Sequence, residues 1–388
     1  MKKINIALIG GGFMAKAHAL AQTAMPMFFW PAPALPVRKV VVDVTDELAA
    51  EAQQRFGFEE GSSNWREVVE REDIEVVDIC APNNSHAEIA IAAAKAGKHV
   101  ICEKPLARTG DEAKSMLDAV ESAGVKHMVG FNYRYTPAVQ FAKKLIDEGK
   151  IGRILNFRGT YLQDWSADPN GPLSWRFQKK IAGSGSLGDI GTHVIDLARL
   201  LVGEIVEVNA VMKTYIGDRP IQESGLDKLG AAERPAGGPR EKVDVDDEVL
   251  TFLKFAEGAI GSIEATRNAY GRNNFLTFEI HGTAGSILFN YERRDELQVM
   301  FADDPTGCRG FRTIYTGPAH PFGHGLWPIP ALGIGYGDTK IIECYQFFEA
   351  LRTGKEPTPN FRDGYIINCI VDAIDRSAKA ERWAKVVS

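Results

Sequence analysis

Between residues 4 and 131 the chain alternates short apolar runs with helical segments without a break, and a glycine-rich turn stands at the first junction. This pattern limits the fold more than any other feature. Strands separated by whole helices pair in parallel, and the helices then cover both faces of the sheet. Residues 4–9 read as a buried strand, and Gly10-Gly11-Gly12 opens a helix near Phe13. Residues 40–44 form the next strand, leading into a helix over 47–56 that Gly57 terminates. A third strand spans 76–81. Ser85-His86-Ala87-Glu88 then has the form of a capping box, opening an Ala/Ile-rich helix that ends at Gly97. Strand 99–102 is followed by a second capping box, Thr109-Gly110-Asp111-Glu112, whose helix stops at Gly124, and strand 126–131 closes the series. The Pro- and aromatic-rich stretch 25–36 predicts a lengthened link between the first helix and the second strand.

Beyond residue 150 the pattern changes. Residues 154–162, 206–216, 249–255, 259–266, 275–281 and 286–291 read as strands, several joined by short Gly-containing turns, with one helix at 187–202. The expected architecture is therefore an α/β protein: a doubly wound parallel sheet in 1–130, then an α+β unit in 131–388 with a large, mostly antiparallel open sheet. The uncovered face of such a sheet predicts a homo-oligomer, dimer or tetramer. Residues 217–244 and 303–338 show little regular pattern, whereas 365–383 is amphipathic and helical.

Charge and cysteine content narrow the function. Forty-five basic against fifty-one acidic side chains give a net charge of −6, which argues against a broadly basic nucleic-acid footprint. No apolar run is long enough to span a bilayer, and the early glycines interrupt any signal-peptide pattern after Lys2-Lys3. Five cysteines without a CxxC pair read as reduced thiols of a cytoplasmic protein.

The chemistry lies in four places. Gly10-Gly11-Gly12-Phe13-Met14-Ala15 fits G-x-G-x-x-G/A between strand and helix, where Gly10, Gly12, Phe13 and Met14 would lie against a dinucleotide pyrophosphate. Asp43, at the end of the second strand, stands where a carboxylate accepts hydrogen bonds from ribose hydroxyls. Against a 2′-phosphate about 4 Å away, at an effective dielectric of about 20, it would impose roughly 4 kcal/mol of repulsion, so NAD is favoured over NADP. Glu103-Lys104-Pro105 follows a strand at the sheet edge where ligands bind, and a residue before proline is held out of the helical region. Finally, Asp189, His193 and Asp196 fall at i, i+4 and i+7 of one helix. Either His193 is a general base oriented by a carboxylate, or Asp189 caps the helix and His193 is a core residue. No third ligand at suitable spacing points to a metal.

Together, Gly10 to Ala15, Ala81-Pro82-Asn83-Asn84-Ser85-His86, the run from Ala96 to Pro105, Asn132-Tyr133-Arg134 and the run from Gly185 to Asp196 resemble the Gfo/Idh/MocA (glucose–fructose oxidoreductase / inositol dehydrogenase) family over essentially the whole chain. The resemblance implies an NAD-dependent dehydrogenase acting on a secondary ring hydroxyl of a sugar or cyclic polyol. It implies Lys104 on the reacting oxygen, His193 as base, and Asp189 holding the substrate or the histidine. Pro82, Asn84, His86 and Glu103 would join the cofactor side. Asn132, Tyr133, Gln163, Trp165 and Arg176 would line the substrate cleft. A dinucleotide-binding regulator without catalysis is the alternative from another class.

Overall fold

A computed structural model describes residues 1–221 and 238–388. The N-terminal strands are β1 (Lys3–Ile9), β2 (Leu35–Val42), β3 (Glu60–Ser62), β4 (Val76–Ile79), β5 (His99–Cys102) and β6 (His127–Val129). The helices between them are α1 (Phe13–Phe28), α2 (Asp46–Phe56), α3 (Trp65–Glu70), α4 (Asn83–Lys95) and α5 (Gly110–Ala123). The strands pair in parallel in the order β3-β2-β1-β4-β5-β6. The order reverses between the paired neighbours β1 and β4, so the connections leaving their C-terminal ends run in opposite directions along the sheet and leave a crevice there, where ligands of such sheets bind.

Local chemistry explains most boundaries. Thr45 Oγ1 accepts from the Leu48 amide to open α2, and Gly57, at φ +68°, closes it. Thr109 Oγ1 accepts from the Glu112 amide, but the Glu112 carboxylate accepts from the Arg108 amide, so this capping box is half formed. The box expected at Ser85 does not form. Helix α4 begins three residues earlier, with Pro82 rather than Ser85 at its N-cap, and Asn83 Nδ2 donates to the Ala182 carbonyl. The long link expected over 25–36 also shrinks: α1 runs through Met25 to Phe28 and β2 starts at Leu35. The aromatics there are packing surfaces. Phe29 stacks on Tyr345 with ring centres 4.1 Å apart, and Phe28 meets Trp327 edge-on at 5.3 Å.

The rest of the chain comprises α6 (Pro137–Asp147), β7 (Ile154–Leu162), α7 (Lys179–Ala182), α8 (Thr192–Leu201), β8 (Ile205–Lys213), β9 (Asp218–Pro220), β10 (Arg240–Lys242), β11 (Glu248–Phe255), β12 (Ile260–Thr266), β13 (Phe275–Gly282), β14 (Gly285–Asn290), β15 (Glu296–Phe301), β16 (Arg312–Tyr315), α9 (Tyr336–Thr353), α10 (Phe361–Ala380) and β17 (Ala384–Lys385). Nine of these strands form one sheet, β16-β15-β14-β13-β7-β12-β11-β8-β17. It is antiparallel except where β7 and β12 run parallel at its centre, so it is not the simple meander the sequence predicts. Of the stretch 217–244, the flanks pair as the ribbon β9–β10, while 222–237 lie outside the described residues. Strands β15 and β16 and helix α9 carry no pattern that the sequence reading recognised.

Two helices join the sheets. The apolar side of α9 (Ile341, Ile342, Phe347, Phe348) is buried with Ile6, Val76, Ile101 and Met128 of the N-terminal sheet. Ile370, Val371 and Ile374 of α10 share a core with residues of α5 and β8. A buried ion pair adds direction to this packing: Arg134 Nε donates to Asp196 Oδ2 at 3.0 Å, with both side chains almost fully enclosed. Removing one member strands the other charge. Asp196→Ala should therefore lose about 3–5 kcal/mol of stability by denaturant unfolding; a loss below about 1 kcal/mol would show that water reaches Arg134.

Candidate active site

The site begins where β1 ends. Gly10 has φ +102°, and a Cβ on it would lie 2.8 Å from the Cys80 carbonyl carbon, so the turn closes tightly on β4 only with glycine. A Cβ on Gly11 would lie 2.4 Å from Asp43 Oδ2, whereas one on Gly12 would meet nothing within 4 Å. The Gly11 amide donates to Asp43 Oδ2 (3.1 Å) and the Val44 amide to Oδ1 (2.7 Å), which leaves the carboxylate further lone pairs for hydroxyl donors. A glycine turn with open space at its third glycine, at a helix N-terminus and beside a fixed carboxylate, fits a dinucleotide. Phe13, Pro82 and Asn84 are exposed around it, and Met14 is half-buried.

Two of the residues expected on the cofactor side are turned inward. His86 is fully buried, with Nε2 2.8 Å from the Ala81 carbonyl and Nδ1 3.0 Å from that of Pro105. Both neighbours are acceptors, and burial lowers the His86 pKa, so the neutral ring donates its single N–H to one of the two carbonyls. Glu103 is also buried, and its Oε1 accepts from His18 Nε2 at 2.8 Å.

Lys104, just past β5, reaches across to the second half of the chain. Its ammonium donates to the Asp189 carbonyl (2.6 Å) and to Asp189 Oδ1 (3.1 Å). Asp189 Oδ2 accepts from Arg267 NH1 at 3.3 Å. Burial alone would raise the Asp189 carboxyl pKa, but the charges of Lys104, Arg267 and Arg176 outweigh it and hold the pKa well below the ordinary 3.8. Asp189 is thus an anion clamped between cations rather than a helix cap. The cap is Asp246, whose carboxylate accepts from the Gly185 amide (2.7 Å), the Ser186 hydroxyl (2.8 Å) and the Leu187 amide (2.8 Å). A Cβ on Gly185 would lie 1.8 Å from the Asp246 carbonyl oxygen, so only glycine fits at that position.

Residues 187–191 wind as a π turn before α8 continues, and π turns recur at functional sites. His193 follows, almost fully buried, its ring edge-on to Tyr133 at 4.5 Å. Its Nδ1 is buried without a hydrogen-bond partner. Asp189 therefore does not orient it, contrary to one expected role, because both Asp189 oxygens serve cations. Burial first, and the Lys104 charge second, hold the His193 pKa well below 6.5, so the imidazole is neutral at neutral pH and free to accept a proton. The third member of the sequence stripe, Asp196, is absorbed by Arg134 and leaves the site.

Of the predicted substrate residues, Asn132 faces inward and donates to Thr339 Oγ1 at 2.7 Å. Tyr133, Gln163 and Trp165 are linked in a polar string with two residues that the sequence did not single out, Tyr161 and Asn274. Tyr133 and Tyr161 hydroxyls lie 2.7 Å apart, Tyr161 and Gln163 both donate to Asn274 Oδ1, and Trp165 Nε1 donates to Gln163 Oε1. Arg176 lies over the Trp175 ring at 4.4 Å, and Arg267 over Trp165 at 5.1 Å. Arg267 was also missed: an arginine just past a strand has no distinguishing local pattern, and only the packing of β12 against the 187–191 π turn brings it to Asp189.

A dinucleotide crevice joined to a clamped Lys–Asp pair and a neutral histidine defines an oxidoreductase. Residues 4–131 match the oxidoreductase family with an NAD-binding Rossmann fold, and residues 139–288 match the GFO/IDH/MocA C-terminal domain. The chain belongs to the Gfo/Idh/MocA family. It is 67% identical over 386 residues, covering 100% of this chain and 99% of the relative, to a levoglucosan dehydrogenase of Pseudarthrobacter phenanthrenivorans. A solved levoglucosan dehydrogenase in complex with NADH and levoglucosan superposes with a TM-score of 0.94 at 65% identity, each chain covered in full. Myo-inositol 2-dehydrogenase of Thermotoga maritima is more distant, 28% identical over 89% of this chain and 90% of its own length. Among the described residues no helix is long and apolar enough to cross a membrane.

The depressed basicity of His193 has a sign that kinetics can read. The neutral ring persists as pH falls to 6.5, so kcat/KM should decline only below that value. An acid-limb midpoint above 7 in initial rates of NADH formation would contradict it.

Proposed function

We propose that this protein is an NAD-dependent levoglucosan dehydrogenase that oxidises the C3 hydroxyl of the 1,6-anhydro sugar to a ketone. The observation that carries the reading is the meeting of the Lys104 ammonium with Asp189, one turn before the neutral His193. It stands in a chain 67% identical, end to end, to a levoglucosan dehydrogenase. The stretches Gln163-Asp164-Trp165, Ser174-Trp175-Arg176-Phe177 and Trp327-Pro328-Ile329-Pro330 support the same likeness.

Bound NAD supplies the hydride acceptor, its pyrophosphate held by the Gly10–Gly12 turn and its ribose by Asp43. Phe13, Met14, Pro82 and Asn84 border that crevice. The chain's own residues handle the alcohol. Lys104 donates a hydrogen bond to the reacting oxygen and stabilises the charge that develops there. His193 takes the hydroxyl proton, a role worth roughly 10²- to 10⁴-fold in rate. Asp189, fixed by Lys104 and Arg267, keeps the lysine aimed and offers an acceptor to a neighbouring sugar hydroxyl. Trp165 and the polar string through Gln163 and Tyr133 present an apolar face beside hydrogen-bonding groups, as a rigid bicyclic sugar requires, and Arg176 adds a hydrogen-bonding fork.

Lys104→Ala and His193→Ala should each lower kcat by about 10²-fold or more while NADH still binds. Levoglucosan should outperform myo-inositol, glucose and a methyl glucoside in the NADH readout. Turnover near that of the unaltered protein in either variant would remove the acid–base assignment. NAD binding without turnover on any polyol would favour a dinucleotide-dependent regulator.

The assembly is a homo-oligomer through the open sheet. Val211, Leu250, Phe252 and Ile260 project from adjacent strands β8, β11 and β12 as an exposed apolar strip, with Leu250 directly opposite Val211. Such a strip is the kind of surface that association covers, and a second copy of this chain is the occupant we expect. The free thiols Cys80, Cys102, Cys308, Cys344 and Cys369 suit a reducing cytoplasm. Phe252→Glu should shift the light-scattering mass towards the monomer; an unchanged mass would put the contact elsewhere.

A further inference from the structure

Behind the lysine lies a cluster of buried ionisable groups that the reaction does not use. His18 of α1, Asp78 of β4, Glu103 after β5, and Lys340 and Glu343 of α9 are all almost fully enclosed. His18 Nδ1 lies 2.9 Å from both Asp78 oxygens, and Gln22 Nε2 donates to Asp78 Oδ2 at 2.9 Å. Glu103 Oε1 accepts from His18 Nε2 and from the Lys340 ammonium, which also donates to Glu343 Oε1 at 2.8 Å. The other oxygen of Glu103 accepts from the backbone amide of Lys104 at 3.1 Å. Gly130 closes the remaining side, since a Cβ there would lie 2.8 Å from Glu103 Oε1.

His18, Glu103 and Glu343 converge as metal ligands can, but the Lys340 ammonium already supplies the cation among them. The electrostatics of the cluster run in opposite directions for its members. Burial works against the charged form of each group. The partners reverse this for His18 (raised), Lys340 (raised) and Glu103 (lowered well below its ordinary value), while Glu343 is raised, towards its neutral form. His18, Lys340 and Glu103 thus favour their charged forms within one dry site. Such a cluster is rigid, because any member that moves leaves a partner charged and unpaired.

We propose that Lys340 is a positioning residue for the dehydrogenase reaction: by fixing Glu103 it fixes the peptide of Lys104, and so the direction in which the Lys104 side chain crosses to Asp189. The first turn of the same helix touches two further parts of the site. Thr339 accepts from Asn132, beside Tyr133, and the Tyr336 ring stacks on Phe13 with centres 6.0 Å apart. Helix α9 thus sets the nucleotide turn, the lysine and the residue that faces His193 in one frame.

The inference rests on the proposed role of Lys104, so Lys104→Ala is measured alongside. Lys340→Met keeps the length and volume of the side chain without the charge. Its kcat should fall about 10- to 100-fold per NADH-binding site, because misplacing a reacting group by about 1 Å costs on the order of 10²-fold. KM for the sugar and the NADH dissociation constant should stay within about threefold, a split that general loss of structure does not produce. Lys340→Arg, which keeps the charge, should recover part of kcat. If Lys340→Met does not fold, Lys340→Met with Glu103→Gln, which removes one charge of each sign, should fold and show the same loss. A folded Lys340→Met, or the double variant, with kcat within about twofold of the unaltered enzyme overturns the proposal. So does a loss that only tracks the number of NADH sites. If Lys104→Ala itself turns over normally, the reading on which this rests has failed instead.

Discussion

The contact between Lys104 and Asp189 is the constraint on which the rest of this molecule turns. It crosses from the edge of the parallel sheet to the π turn that leads into α8, two parts of the chain 85 residues apart. A carboxylate and an ammonium hold each other there in a half-buried setting, with Arg267 as a second cation. An isolated charge in such a place would be expensive, but the group of three is mutually compensated. In the proposed reaction the alcohol would share these same donors and acceptors, which are already arranged for the charge that develops.

The histidine follows from the same arrangement. Almost complete burial, and then the cation nearby, make its protonated form unfavourable, so it is neutral at neutral pH, the form that the proposed base requires. Its unpartnered Nδ1 is costly, and a base free of hydrogen bonds within a packed wall of Tyr133, Phe131 and Tyr161 is of use only where a ligand completes it.

Much of this was readable in the chain. The glycine turn, Asp43 at its strand end, the Glu-Lys-Pro tripeptide and the Gly-to-Asp helix segment are local patterns, because each depends on residues within one turn or one strand end. The same holds for Thr45 with Gly57. What failed did so for non-local reasons. The Ser85 capping box lost to Pro82 and to the tie between Asn83 and Ala182. Asp196 fitted a catalytic stripe, yet Arg134, 62 positions away, claimed it. Arg267, Tyr161, Asn274 and Asp246 escaped notice because each acquires its role only when strands distant in sequence lie side by side.

The sequence by itself determined the parallel sheet, the nucleotide turn and the identities of the lysine and the histidine, since periodicity, backbone freedom at glycine and side-chain chemistry act over a few residues. The tertiary structure decided which charges meet. Whether Asp189 caps a helix or clamps a lysine, and whether Lys340 belongs to the last helices or to the site, depends on electrostatic and packing energies that exist only once separate segments share one dry interior. Those energies grow with burial, and burial is a property of the folded whole.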